Sequence, residues 1–165
     1  MSNHPVDVKG VCEVLQSLKN NNENNKEFEI VSSKCTFWNT HQSFVLNNDE
    51  SQFVTFDHKN RYLQINFKNK LIDIQGYKIN SSLNSYRYMK NWVLLGSTDL
   101  YNWVILDEHS NDDSLQSNDR DIINFNVNSE GIRFKSIKLI QTGKNNKLDH
   151  ILVIRYFDLL GKIYD

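Results

Sequence analysis

From Glu27 onward every apolar run is short, rich in β-branched and aromatic residues, and closed by turn formers. The clearest pair is Asn91-Trp92-Val93-Leu94-Leu95-Gly96-Ser97 and Tyr101-Asn102-Trp103-Val104-Ile105-Leu106, joined by Thr98-Asp99-Leu100. Runs of that length and composition fit strands, and turn residues at regular intervals fit an all-β sandwich. Strands are expected over residues 27–32, 52–56, 62–67, 72–80, 92–97, 103–107, 122–127, 134–141 and 151–160. In the stretch 62–67, Leu63, Ile65 and Phe67 fall on one face and Gln64 and Asn66 on the other, the period-two pattern of a half-buried strand.

Before these strands, Val8, Val11, Cys12, Leu15 and Leu18 recur at helical spacing behind Asp7, a good N-cap. A helix over about residues 7–19 is therefore expected to lie on the sandwich by its apolar stripe. The Asn-rich segment after it reads as a solvated loop. Residues 1–26 thus form an N-terminal helix and loop packed on the domain, and 27–165 form the sandwich. The polar, acidic stretch 109–120 reads as a surface loop.

With 165 residues, 39% of them hydrophobic and 12% aromatic, one domain can bury a core unaided. The formal net charge is -1, and no block of like charge reaches the length of a nucleic-acid arm or polybasic anchor. No apolar signal segment follows Met1, and Cys12 and Cys35 read as reduced thiols, which sets the expectation of a cytoplasmic protein.

Catalytic patterns are missing. His4, His41, His58, His109 and His150 show no metal-site spacing. There is no Gly-x-Ser-x-Gly elbow, and Gly143-Lys144 lacks the upstream glycine of a phosphate loop. Cys35 and His41 have no third group to orient them. The expectation is a non-enzyme without a cofactor.

The order of these elements resembles the discoidin domain, the coagulation factor five/eight C-type domain, in its intracellular protist branch. The resemblance is carried by Val8-Lys9-Gly10-Val11 with Leu15, by Glu29-Ile30-Val31-Ser32-Ser33, and by Tyr62-Leu63-Gln64-Ile65-Asn66-Phe67. It continues through Tyr77-Lys78-Ile79, the two tryptophan runs, 133–145 with its Gln-Thr-Gly-Lys-Asn, and Phe157-Asp158-Leu159-Leu160-Gly161. Two departures stand out. Leu100 occupies a turn position where the family has glycine, so the turn is expected to be strained or of another type. No cysteine lies near the C-terminus to form the terminal disulfide of secreted members.

The resemblance implies a galactose-binding-like jelly-roll β-sandwich with ligand loops at one end, here 35–44, 57–61 and 81–89. The residues these loops supply are Phe37, Trp38, His41, His58, Arg61, Tyr86, Arg87 and Tyr88. Phe37 and Trp38 form an apolar tip if exposed, while arginine between tyrosines suits a carboxylate, a phosphate or a planar group. Tyr-Arg-Tyr fits strand pairing equally well. Trp92 and Trp103, set among Val, Leu and Ile, are expected in the core. Some relatives hold a structural calcium at places matching Asp49 and Asp158, which is weak support because calcium needs six or more oxygens.

The leading expectation is a binding module for a protein partner, a subunit of a larger assembly, with cytoskeletal or ciliary complexes as the analogy. The alternative is a lectin-like domain that takes a glycan in the same loops. Membrane binding through Phe37 and Trp38 is the weakest reading, and nucleic acid is not expected.

Overall fold

A computed structural model describes residues 14–21, 27–36, 45–46, 49, 51–81, 86–116 and 121–165. Among these residues one helix, α1 (Val14–Asn21), precedes ten strands. These are β1 (Phe28–Ser32), β2 (Phe53–Val54), β3 (Tyr62–Phe67), β4 (Leu71–Asn80) and β5 (Trp92–Ser97). The remainder are β6 (Val104–His109), β7 (Ile123–Asn126), β8 (Ser136–Gln141), β9 (Val153–Ile154) and β10 (Tyr156–Tyr164). Antiparallel pairing builds a five-stranded sheet in the order β1-β3-β8-β5-β6, a three-stranded sheet β10-β4-β7, and a small β2-β9 ribbon.

The two larger sheets stack as a sandwich because each has one apolar face to hide. Leu63, Ile65, Trp92, Leu94, Ile137 and Leu139 line the inner face of the five-stranded sheet. They share one buried cluster with Ile72, Ile74, Tyr77 and Ile79 of β4 and with Phe157, Leu159 and Ile163 of β10. Burial of this kind yields about 25 cal/mol per Å² of apolar surface and supplies most of the folding drive.

One polar chain crosses the interior. Trp92 Nε1–H donates to the Tyr77 hydroxyl at 2.9 Å, and that hydroxyl donates to Asp107 Oδ2 at 2.7 Å. The Trp92 indole stacks on the His109 ring, with centroids 4.1 Å apart, and meets Phe125 edge-on at 5.6 Å. A carboxylate faces each His109 nitrogen, Asp107 at 2.8 Å and Asp112 at 2.6 Å. Burial pushes the Tyr77 phenol pKa far upward, so it remains a neutral donor. β4, β5, β6 and β7 are thereby tied across both sheets.

The helix is anchored by a strand. Asp158, fully buried in β10, accepts the amides of Leu15 at 2.8 Å, Gln16 at 3.3 Å and Leu159 at 2.7 Å. Leu15 and Leu18 are buried as the helical stripe requires. Val8, Val11 and Cys12 lie outside the described residues, and Cys35 is a free thiol. Gly161 sits at the β10 bulge, where a Cβ would collide with the Asp73 carbonyl.

Three expectations need correction. Trp103 is not a core residue; it is half-buried on the outer sheet face with the Lys138 ammonium 4.0 Å from its ring centroid. The reason is that β6 is an edge strand and a bulge between Leu94 and Leu95 shifts its register. The polar stretch 109–120 is not wholly surface loop, since His109 closes β6 and Leu115 is buried. The run 151–160 breaks at Arg155, because β9 pairs with β2 whereas β10 pairs with β4.

Leu100 holds the left-handed conformation, at φ 71°, the strained alternative expected for a leucine at this turn position. Asp99 holds the turn in place. Its Oδ1 accepts the amides of Tyr101 at 2.8 Å and Asn102 at 2.7 Å, while Ser97 Oγ accepts the Leu100 amide at 2.8 Å. These bonds, that of Asn102 foremost, hold the Asp99 carboxyl well below the usual range.

Trp92→Ala is expected to destabilise by about 3–5 kcal/mol, against less than about 1 kcal/mol for Trp103→Ala, in urea melts. Equal costs would contradict the different burial of the two indoles. Leu100→Gly relieves a strained φ and is expected to raise stability by about 0.5–1 kcal/mol in the same assay. A loss on that substitution would mean the leucine side chain outweighs its backbone strain.

Candidate functional site

Strand register decides which loops meet. Ser32 stands opposite Leu63, Tyr62 opposite Ile140, Trp92 opposite both Gln141 and His109, and Tyr156 opposite Asn80. The ends of β1, β5's entry, β3's entry and the ends of β4, β6 and β8 therefore lie at one pole. Bonds across it include Arg155 N–H to the Asn80 carbonyl at 2.8 Å and the His150 amide to Asp57 Oδ1 at 2.8 Å. The segments 57–61 and 86–89, from two of the three expected loops, both bond to the segment 142–151 at this pole, while 82–85 lie outside the described residues. Phe37, Trp38 and His41 lie outside the described residues.

A further segment, 142–151, completes this pole. Its turn is organised by the buried Asn145, whose Nδ2 donates to Asp149 Oδ1 at 2.6 Å and to the Ile151 carbonyl at 2.9 Å. Asn145 Oδ1 accepts the Lys147 amide at 2.9 Å. The turn is clamped to the neighbouring segment by Asn146, whose Oδ1 accepts the Tyr88 amide at 2.8 Å and whose amide donates to the Tyr88 carbonyl at 3.2 Å. The density of turn formers in Gly143-Lys144-Asn145-Asn146 was the signal for this loop. Sequence reasoning assigned that run only to family likeness.

The Arg87 guanidinium completes the clamp, with Nη2 at 2.7 Å and Nε at 3.2 Å from Asp149 Oδ2. Burial of the Asp149 carboxyl opposes its ionisation. The bonds from Arg87, the Ile151 amide and Asn145 outweigh that, and its pKa lies below the ordinary carboxylate value. Arg87 is thus a positioning group as well as a candidate contact.

The other expected residues separate clearly. Tyr86 projects into solvent, 62% exposed, with Arg87 Cζ 5.5 Å and Lys147 Nζ 4.8 Å from its ring centroid. Leu148 beside it is 75% exposed and holds φ 64°. His58 is exposed on the adjoining turn. Arg61 is half-buried and spends its Nε–H on the Phe56 carbonyl at 3.0 Å. Tyr88 does not present its ring to a ligand; it is buried, with its hydroxyl 3.0 Å from Asp113 Oδ1. The segment is a bend and not a strand, so the two rings need not share a face; Asn146 holds the Tyr88 backbone and Asp113 its hydroxyl, which draws that ring inward.

The calcium expectation meets a chemical obstacle. Asp158 spends its carboxylate on helix amides in a sealed interior, and Asp49 Oδ1 accepts the Ser51 amide at 2.8 Å. No group of three or more His, Cys, Asp or Glu among the described residues could hold a metal ion. The pole instead offers an exposed tyrosine ring with two cations within cation–π reach of it, beside a turn held by side-chain hydrogen bonds. Such an arrangement stacks an apolar ring face and hydrogen-bonds or ion-pairs the substituents around it.

No family model and no curated protein sequence matches the chain. Solved structures do. A CBM32 carbohydrate-binding module from Clostridium perfringens, in complex with GalNAc-β-1,3-galactose, aligns at TM-score 0.63 and 10% identity over 81% of this chain and 94% of that one. The family 32 module of C. perfringens NanJ, in complex with galactose, aligns at 0.63 and 8% identity over 81% and 93%. The CBM32 module of AlyQ, in complex with 4,5-unsaturated mannuronic acid, aligns at 0.63 and 9% identity over 79% and 92%. Together with the strand order and the sealed Trp92, these likenesses give the chain the discoidin, or galactose-binding-like, β-sandwich fold.

Proposed function

We propose that the chain is a non-catalytic, lectin-like carbohydrate-binding module that takes a sugar at the loop pole around Tyr86. One observation carries the reading: the exposed Tyr86 ring, with Arg87 and Lys147 within cation–π reach, lies on a segment that Asp149 and Asn146 tie to the turn organised by Asn145. The C–H face of a pyranose is apolar enough to lie on such a ring, and preorganisation limits the entropy lost on binding. The flanking cations favour a sugar bearing a carboxylate. Modules of the same fold in complex with galactose, with GalNAc-β-1,3-galactose and with an unsaturated uronic acid support the ligand class. Fold alone does not select it.

A second reading keeps the chain as a protein-interaction or structural subunit of a cytoplasmic assembly, cytoskeletal or ciliary. It is favoured by a different surface, the exposed Val104 and Ile105 of the edge strand β6.

A glycan array probed with the purified chain is expected to show binding that Tyr86→Ala weakens by about tenfold or more, the usual consequence of truncating an aromatic anchor. Retention of no glycan, or full affinity in the variant, would sink the lectin reading. The Arg87–Asp149 clamp adds a pH dependence. A carboxyl whose folded pKa is depressed stabilises above its unfolded value of about 3.9 and loses that contribution as pH falls through the folded value. Thermal melts are therefore expected to show an acid-side loss that Asp149→Asn flattens. At neutral pH the same substitution is expected to cost about 1–3 kcal/mol, the usual worth of bonds to a charged group. An unchanged acid limb in the variant would remove Asp149 from this role.

A further inference from the structure

The second surface lies on the outward face of the five-stranded sheet, away from the loop pole. Register places Gln64, Lys138, Leu95 and Ile105 in one outward row across β3, β8, β5 and β6, with Tyr62, Ile140, the buried Val93 and the exposed Glu108 in the next. Ile105 is 62% exposed on this face, while Val104, opposite Gly96, belongs to the other face of the strand, and Leu100 and Tyr101 are exposed on the turn before β6. Aliphatic side chains grouped on an edge strand are what a soluble chain normally avoids, because they invite association.

Within this patch stands an uncompensated cation. Lys138 Nζ lies 4.0 Å from the Trp103 ring centroid and 5.4 Å from that of Tyr62. No carboxylate and no hydrogen-bond acceptor reaches it among the described residues. Other lysines of the chain have found acids, Lys70 pairing with Glu27 and Asp165 and Lys90 with Asp113. Burial lowers the Lys138 pKa, with no opposing charge to offset it. A half-buried ammonium held between aromatic faces has a fixed position, so an incoming anion meets little entropic cost there.

We propose that this face docks an extended acidic-apolar segment of a partner protein, lying across β5 and β6 with a carboxylate on Lys138 and an aliphatic or aromatic side chain on Ile105 and Leu95. A protein fits better than a sugar for two reasons. The aliphatic groups offer no hydrogen bonds to hydroxyls. The polar ones nearby are already engaged, with Gln64 Nε2 donating to Asn66 Oδ1 at 2.7 Å and Ser136 Oγ donating to the same oxygen at 2.7 Å. A second copy of this chain fits less well, because the acid on the exposed part of the strand, Glu108, would arrive at the β6 edge while Lys138 lies two strands inward. This face is separate from the Tyr86 pole and stands whether or not that pole binds sugar.

The test is a random-peptide display library panned on the purified chain, followed by titration of the synthetic winners. Enriched peptides are expected to place Asp or Glu beside Leu, Ile, Phe or Trp. Their affinity is expected to fall by about tenfold or more in Lys138→Met, which keeps the aliphatic stem on Trp103, and in Ile105→Lys. Tyr86→Ala is expected to leave that affinity unchanged, and melting curves confirm that each variant is folded. No enrichment, winners without an acidic residue, or affinity indifferent to Lys138→Met would overturn the proposal. A concentration-dependent dimer in sedimentation that Ile105→Lys abolishes would also overturn it, by giving the face to a second copy. Glycan binding lost on Lys138→Met but kept in Tyr86→Ala would give the face to a sugar.

Discussion

The interior bond from the Trp92 indole through the Tyr77 hydroxyl to Asp107 is the constraint from which the rest of the molecule follows. Hydrophobic burial alone would let two sheets slide over one another, since apolar contact is not directional. A buried indole N–H, a phenol and a carboxylate have only one mutual arrangement that leaves none of them unpaired. That arrangement fixes β4 against β5 and β6, and with His109 and Phe125 stacked on the same indole it closes the sandwich along its β5–β6 margin. Asp158 does the same work at the opposite side, fastening the helix to β10 through its first amides.

With the frame fixed, the surface divides into two regions of different chemistry. At the loop pole the polar groups are organised to hold a backbone in place, so that Tyr86 and its two cations are presented with little freedom to lose. On the outer sheet face the polar groups bond one another and leave aliphatic surface around one lysine. The first suits a small ring with polar substituents, the second a longer and less polar partner. Modules that share this scaffold can therefore differ in ligand without differing in core.

Much of the fold was legible in the residues. Strand 62–67 follows from period-two alternation and 92–97 from a short, β-rich apolar run closed by turn formers, and the structure keeps those bounds. Edge effects were not legible. Trp103 sits in a run as apolar as that of Trp92, but alternation cannot reveal that β6 lacks a neighbour on one side or that a bulge changes its facing. For the same reason Tyr86 and Tyr88 looked equivalent, whereas one is exposed and the other buried. His109, read as loop, belongs to a strand because it pairs with Trp92, distant in sequence, and stacks on its indole, while the neighbouring Asp107 and Asp112 hold the ring. Of the candidate pole, the loops 57–61 and 81–89 were named from the resemblance, while 142–151 was not, since its place there rests on tertiary bonds from Asn145, Asn146 and Asp149.

The most direct test of the account is an amide NMR titration of the intact chain with galactose and, separately, with an oligomannuronate. The account predicts chemical-shift changes confined to 57–61, 86–88 and 144–150, while the indole signals of Trp92 and Trp103 and the amides of β6 stay fixed. Shifts centred on the outer sheet face, or none with either sugar, would contradict it.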